Sequence, residues 1–153
     1  MTNPKIYSIV CAVRGQPTSR ETVTRAIDLA LAHQARLIFV HITNVDFLNM
    51  ATPGMSSTRR VYHQLREMAE FTRLLLCDRA NRRGVEQADS IIREGDIQPQ
   101  LYQLLIELRP DLLVIGEPRH DAGDAVFAGA ELEEFLSRLG DEINLHFEIV
   151  KPD

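Results

Sequence analysis

The sequence predicts an α/β protein in which an open, doubly wound parallel sheet of five strands forms one domain over residues 1–153. A length of 153 residues is that of one ordinary domain. Apolar runs without polar alternation, such as LIFVHI and LLVI, are typical of parallel strands that helices cover on both faces. Apolar stripes at helical spacing separate these runs, which gives the order β-α-β-α-β-α-β-α-β.

The first half of the chain is predicted to contain two strands and two helices. Strand one covers Lys5–Val13 and strand two covers Leu37–Ile42. The helix between them begins near Thr18 and Glu21, which have the spacing of a capping box. Its apolar stripe consists of Val23, Ala26, Ile27, Ala30 and Leu31. A long second helix ends at a left-handed turn near Gly84. We expect its whole stripe in the core, namely Val61, Leu65, Met68, Thr72, Leu75 and Leu76.

The second half is predicted to repeat the alternation. Strand three, over Ala88–Arg93, is polar enough to be an edge strand. The third helix begins after Asp96, carries Pro99 in its first turn and ends at Pro110. Strand four covers Leu112–Ile115, and a fourth helix then ends at Gly140. The core stripes of these two helices are Leu101, Leu104, Leu105 and Leu108, and Leu132, Phe135, Leu136 and Leu139.

Strand five is predicted over Ile143–Val150, where apolar and polar residues alternate. We therefore expect one buried face, formed by Ile143, Leu145, Phe147 and Ile149, and one face toward solvent or a partner.

The connection Thr43–Ser57 is long for a loop and carries several large apolar residues, so it is either a flap over a site or part of an interface. These residues are Phe47, Leu48, Met50 and Met55.

Composition and charge exclude several classes of protein. No apolar run approaches the roughly 20 residues that span a bilayer, and the N-terminus lacks a signal-peptide pattern, so we expect a cytoplasmic protein. A net charge of −5 argues against a nucleic-acid binder. The charge is uneven, positive over residues 59–83 and negative over 117–153, which indicates either solvated surfaces or surfaces complementary to a partner. Cys11 and Cys77 have no zinc or redox spacing, and we expect buried, inert thiols.

A ligand site in such a sheet is expected at the carboxyl ends of the strands, where the direction of winding reverses. The loops after strand one (residues 14–18) and after strand four (residues 116–130) meet there. The second loop contains Gly116, Gly123 and Gly129 and leads into a helix, so its backbone amides could hold an anion. The sequence contains neither a P-loop motif nor a dinucleotide-binding glycine motif.

Segments along essentially the whole chain resemble the universal stress protein family. They are KIYSIVCAVRG, LIFVHITNV, EGDIQP before a leucine-rich helix, RPDLLVIG and LHFEIVKP. The resemblance implies a flavodoxin-like sheet, of the kind also found in adenine nucleotide alpha hydrolases, in the order 3-2-1-4-5, and usually a homodimer formed through the fifth strand. In some members it also implies a nucleotide site, with an Asp after strand one in a V-D-G-S pattern and a G-x-x-G-x9-G-[ST] loop after strand four.

The resemblance places nine residues at that site, namely Val13, Arg14, Gly15, Val40, Gly116, Arg119, His120, Gly129 and Ala130. Three of them depart from the pattern. Arg14 replaces the Asp and cannot accept a hydrogen bond. Arg119 replaces the second glycine and needs the space that a glycine leaves open, and Ala130 lacks the hydroxyl of the final Ser or Thr. In these positions the chain is similar to the branch of the family that does not bind ATP.

Two interpretations of the arginines remain open. Arg14 and Arg119 beside the helix amides could form a pocket for a phosphate or carboxylate. The protein would then be a nucleotide-binding or anion-binding switch, for ATP or AMP, with at most slow hydrolysis. Alternatively, each arginine pairs with an acid such as Asp121 or Asp124 and fills the cleft. His120 is the histidine that we place nearest to a ligand.

The sequence supports no catalytic or metal centre. The histidines show no i, i+4 pair and no H-E-x-x-H motif, and no serine lies in a G-x-S-x-G context. We expect His41 to be a strand-end histidine with satisfied hydrogen bonds. The expected function is that of a regulatory cytoplasmic homodimer without a cofactor, which acts through protein partners and not on nucleic acid or membranes. An apolar-faced edge strand, which a second copy can extend by antiparallel pairing, gives a physical reason for the dimer.

Overall fold

The computed structural model describes residues 5–13, 20–43, 56–116 and 131–151. Its strands are β1 (Ser8–Val13), β2 (Arg36–Thr43), β3 (Ala88–Glu94), β4 (Leu112–Gly116) and β5 (His146–Val150). Its helices are α1 (Arg20–His33), α2 (Ser56–Arg83), α3 (Ile97–Leu108) and α4 (Glu131–Ile143). The strands form one sheet in the order β3-β2-β1-β4-β5, and every neighbouring pair is parallel. The predicted doubly wound fold, its strand order and the edge position of β3 are confirmed.

Both faces of the sheet are covered, which explains the uninterrupted apolar runs. Ile9, Val10 and Cys11 follow one another in β1 and are all fully buried. Ile9 and Cys11 pack with α1 and α2 on one face, whereas Val10 packs with α3 and α4 on the other. The buried thiol of Cys11 agrees with the prediction, but Cys77 is only partly buried.

The boundary between α4 and β5 differs from the prediction. α4 does not end at Gly140 but continues to Ile143, so the assignment of Ile143 to strand five was wrong. Asn144 takes the left-handed conformation, with φ 55°, and its N–H donates to the carbonyl of Gly140 at 3.1 Å. Asparagine tolerates this conformation well, so Asn144 follows the end of the helix in the role that was predicted for Gly140. The predicted buried face also fails at Phe147, which is 44% exposed.

The second helix, α2, also packs differently from the prediction. The side chains buried most deeply on α2 are those of Ala69 and Ala80, and these small residues bring the helix close to the sheet. Val61, Met68 and Leu75 lie outside this contact face and are exposed, so their assignment to the core was wrong. Apolar periodicity predicted the helix correctly but not which side of it faces the sheet.

Three other helix ends lie at or next to their predicted residues. Gly84 has φ 112° and ends α2 as expected. Asp96 is the N-cap residue of α3, although its side chain makes no capping hydrogen bond. The C-cap of α3 is Arg109, in the left-handed conformation, directly before the predicted stop at Pro110. The capping residue predicted at Thr18 lies outside the described residues, as do residues 44–55 of the long connection.

Candidate functional site

The winding of the sheet reverses beside β1. The chain passes from β1 to β2 on one side and later returns to β4 on the other. Ala12 of β1 is aligned with Ile115 of β4, so the ends of these strands, at Val13 and Gly116, are neighbours at the carboxyl edge. The structure therefore brings together the two strand ends that the sequence placed at a candidate crevice.

Gly116 lies against the first turn of α1. A Cβ atom on Gly116 would stand 2.9 Å from Oγ1 of Thr22, which is closer than real Cβ atoms come to other heavy atoms. Thr22 is the one buried polar residue in the part of the chain that the structure describes. This packing gives Gly116 a structural reason to be glycine, whether or not a ligand binds nearby.

Val13 and Val40 lie near the same edge but on opposite faces of the sheet. Val13 is buried toward α1 and α2, and Val40 is buried on the opposite face toward α3 and α4. Neither side chain can donate or accept a hydrogen bond. At these two positions a ligand could form hydrogen bonds only with the backbone.

Six of the predicted site residues lie outside the described residues, namely Arg14, Gly15, Arg119, His120, Gly129 and Ala130. Of the nine predicted positions, the structure thus locates Val13, Val40 and Gly116 at one edge of the sheet. What the remaining six residues contact stays a prediction.

His41 was expected to be a satisfied strand-end histidine, but the described residues leave one of its ring nitrogens without a partner. The residue is aligned with Val13 of β1 and Ile92 of β3 at the carboxyl edge. Its Nδ1 atom is buried, with no hydrogen-bond partner among the described residues, and the same holds for Oγ1 of Thr43. Burial lowers the pKa of His41, which favours the neutral imidazole. The signal in the sequence was one polar residue near the end of an otherwise apolar strand.

A cavity of about 880 Å³ opens between α2 and the carboxyl ends of β2 and β3. On its wall the hydroxyl of Tyr62 donates to both carboxylate oxygens of Glu94 at 2.9 Å, which raises the pKa of Tyr62. Arg66 lies 3.9 Å from Glu94 and over the ring of Tyr62. Since Tyr62, Arg66 and Glu94 satisfy one another, none of these three is a free acid or base, although His63 and Glu67 line the same cavity.

The described residues contain no cluster of three His, Cys, Asp or Glu side chains that could hold a metal ion. Among the described helices, none combines the length and the apolar character needed to cross a membrane.

Comparison with known proteins identifies the family. The model of the universal stress protein family matches residues 6–138, which is most of the chain. The protein belongs to the universal stress protein family. The comparison with curated proteins found no match.

Solved structures of this family share the fold. A universal stress protein from Burkholderia pseudomallei superposes with a TM-score of 0.70 at 20% identity, covering 99% of this chain and 100% of its own. UspA from Lactobacillus plantarum gives 0.70 at 15% identity, covering 97% and 99%. A universal stress protein from Archaeoglobus fulgidus in complex with dAMP gives 0.58 at 12% identity, covering 97% and 100%.

Proposed function

We propose that this protein is a regulatory, non-enzymatic universal stress protein that acts in the cytoplasm as a homodimer, through protein partners, without binding ATP tightly. The observation that carries the proposal is the set of residues at the family's nucleotide positions. Arg14, Arg119 and Ala130 stand where nucleotide-binding members have an acid, a glycine and a hydroxyl. Compared with those members, the site lacks a carboxylate that accepts hydrogen bonds, a glycine that lets a ligand come close to the backbone, and a hydroxyl that faces the phosphate.

The glycine that is retained at Gly116 does not favour nucleotide binding in particular. Its contact with Thr22 requires a residue without Cβ for packing alone. Retention of Gly116 is therefore consistent with a member of the family whose nucleotide chemistry has been lost.

The edge strand β5 supports the proposed homodimer. The N–H of His146 donates to the carbonyl of Asp111 beside β4 at 3.3 Å, so the N–H groups of Phe147 and Ile149 point to the open edge. Arg25 of α1 holds Glu148 through two hydrogen bonds of 2.5 and 3.0 Å, which fixes β5 against the body of the protein. A fixed strand whose outer edge pairs with no other described strand, and which exposes Phe147, can pair with a second copy at little entropic cost.

A nucleotide-binding or anion-binding switch is the second candidate. The Archaeoglobus fulgidus protein of the same fold is a complex with dAMP, and this chain keeps Gly116 and Gly129. In this alternative, Arg14 and Arg119 bind phosphate oxygens in place of the family's usual groups.

Restoring the family pattern tests the loss of nucleotide binding. The variant Arg14→Asp/Arg119→Gly/Ala130→Ser should retain labelled ATP in equilibrium dialysis, whereas the wild type should not. Arg59→Asp/Arg60→Ala makes the same change in net charge on the exposed surface of α2 and should remain without binding. Retention by the wild type that the triple variant abolishes would instead establish the arginine-based switch.

The dimer is tested by sedimentation velocity. His146→Asp places a charge at the exposed start of β5, and His63→Asp makes the same substitution at an exposed site of α2. We expect only His146→Asp to lower the molecular mass. Equal masses for the two variants would place the dimer interface elsewhere.

A further inference from the structure

α2 exposes large apolar side chains that the core does not use. Met68 and Phe71 are each 63% exposed, Leu74 is 55%, Leu75 is 51% and Val61 is 39% exposed. We call these five residues the α2 stripe. The sheet-facing side of the same helix is occupied at its centre by Ala69 and Ala80, so the larger apolar residues lie outside the core contact.

The spacing of the α2 stripe is that of a helix that pairs with another helix. Val61, Met68 and Leu75 are seven residues apart, and Phe71 lies between the last two at the intermediate position of a heptad. A stripe with this period stays on one side of a helix over about 21 Å of its length. Such a face can be buried by one straight partner helix.

The size of the α2 stripe fits a second copy of the same chain. Five side chains exposed to this degree present on the order of 500 Å² of apolar surface, which is the size at which the largest patch of a monomer is often functional. Two such faces, one from each copy, together bury on the order of 1,000 Å², the lower limit for a specific interface.

The charges beside the α2 stripe favour an antiparallel second copy over an anionic membrane. α2 as a whole carries seven arginines and three acids, but four of the arginines lie outside residues 60–78, and three of these contact other residues of the chain: Arg79 binds Thr24, Arg82 binds Asp78 and Arg83 binds Asp28. Residues 60–78, which carry the α2 stripe, have three arginines and three acids and no net charge, whereas binding to an anionic lipid surface needs a cationic face along the stripe. Arg60 lies at one end of the stripe, and Asp78, in an exposed pair with Arg82 of its own helix, lies at the other. Antiparallel pairing brings Arg60 of each copy near Asp78 of the other, while parallel pairing would bring like charges together.

We propose that the α2 stripe binds the α2 stripe of a second copy in an antiparallel helix pair, with Met68 opposite Phe71. α2 covers β2 and β3, at the opposite end of the sheet from β5. The contact is therefore separate from the proposed pairing of β5, and both can form in the same molecule. Together they join the β5 dimers into larger assemblies.

The first test removes the apolar contact in a background that cannot pair through β5. Sedimentation velocity over a concentration series compares His146→Asp with His146→Asp/Phe71→Glu, and His146→Asp/His63→Glu is the matched control on the same helix. We expect twofold higher mass for His146→Asp and its control than for the Phe71→Glu variant at high concentration. Equal masses for all three proteins would overturn the proposal, whether or not β5 pairs in the wild type.

The second test asks whether the two copies of α2 pair in the antiparallel direction. Arg60→Asp and Asp78→Arg should each weaken self-association several-fold in the His146→Asp background, and the double exchange should restore it. Arg60 and Asp78 lie 18 residues, and about 27 Å, apart on their own helix, so restoration can occur only between copies. Loss of association that the double exchange does not restore would contradict the proposed register.

Discussion

Oγ1 of Thr22 lies 2.9 Å from the point where a Cβ atom on Gly116 would stand. This relationship joins the first turn of α1 to the end of β4, at the crevice where the family places its nucleotide. The same glycine thus belongs both to the packing of the fold and to the family's binding motif. Its two roles can be separated by measuring stability without any ligand.

Gly116→Ala should destabilise the protein in the absence of ligand. The added methyl group meets buried Thr22, and overpacking of this kind costs about 1–3 kcal/mol. Urea unfolding followed by circular dichroism measures the change. Thr22→Ala in the same chain removes the obstructing oxygen and should recover part of the loss, whereas independent, additive effects would show that the two residues do not meet.

Gly140→Ala is the matched control for Gly116→Ala, and it should stabilise the protein where Gly116→Ala destabilises it. Gly140 lies inside α4, and its added Cβ would make only an ordinary contact of 3.6 Å with the carbonyl oxygen of Leu145. Alanine loses less backbone entropy than glycine in a helix, so stability should rise by about 0.5–1 kcal/mol. A decrease comparable to that of Gly116→Ala would mean that both effects arise from something other than local packing.

Asp111 joins the amino ends of the central strands. Its Oδ2 atom accepts hydrogen bonds from the backbone N–H groups of Tyr7 and Ser8 at 2.8 and 3.1 Å. Asp111→Ala should lower the free energy of unfolding by about 1–3 kcal/mol, because Ser8 N–H is partly buried. Asp89→Ala, which breaks the exposed pair with Arg36, should cost under about 1 kcal/mol in the same urea titration. Equal costs would contradict the assigned role of Asp111.

His41 should make stability depend on pH below neutrality. Burial lowers the pKa of His41 in the folded protein below its ordinary value of 6.5. The unfolded chain then binds a proton more readily, so this contribution is complete above about pH 6.5 and is lost as the pH falls below it. Unfolding free energies at pH 7.5 and pH 5 should differ more for the wild type than for His41→Leu. An identical difference in the two proteins would refute the assignment.

The two thiols should react at very different rates. Burial raises the pKa of Cys11 to about 12, so at pH 8 its thiol is protonated as well as inaccessible. Cys77 is only partly buried, and burial raises its pKa as well. Reaction with a thiol-specific disulfide reagent should modify one cysteine slowly in the native protein and both in urea. Loss of the slow native reaction in Cys77→Ser identifies the site, and fast native reaction at Cys11 would contradict its burial.

The sheet was predictable because strands buried on both faces require continuous apolar runs, such as LIFVHI and LLVI, and stripes at helical spacing separate these runs along the chain. The orientation of α2 was not, because both sides of this helix carry apolar residues and only the small size of Ala69 and Ala80 selects the side that faces the sheet. The boundary at Asn144 was not predicted because two nearby residues could end the helix. Asparagine can take the left-handed conformation, but Gly140, which takes it more readily, comes earlier in the chain.

The candidate site was predictable only in part. Topology alone places the ends of β1 and β4 together, so Val13 and Gly116 followed from the strand order. Whether Nδ1 of His41 finds a partner among the described residues depends on which side chains surround it in three dimensions, and spacing along the chain does not contain that information. The contribution of Arg14 and Arg119 to binding remains a prediction from the residue types that nucleotide-binding members carry at these positions.

We propose that this universal stress protein does not bind ATP tightly. Calorimetric titration of the purified wild-type protein with magnesium ATP measures this property. We expect no saturable heat at micromolar protein concentration, because Arg14, Arg119 and Ala130 stand where nucleotide-binding members have an acid, a glycine and a hydroxyl. Saturable binding with a micromolar dissociation constant would contradict it.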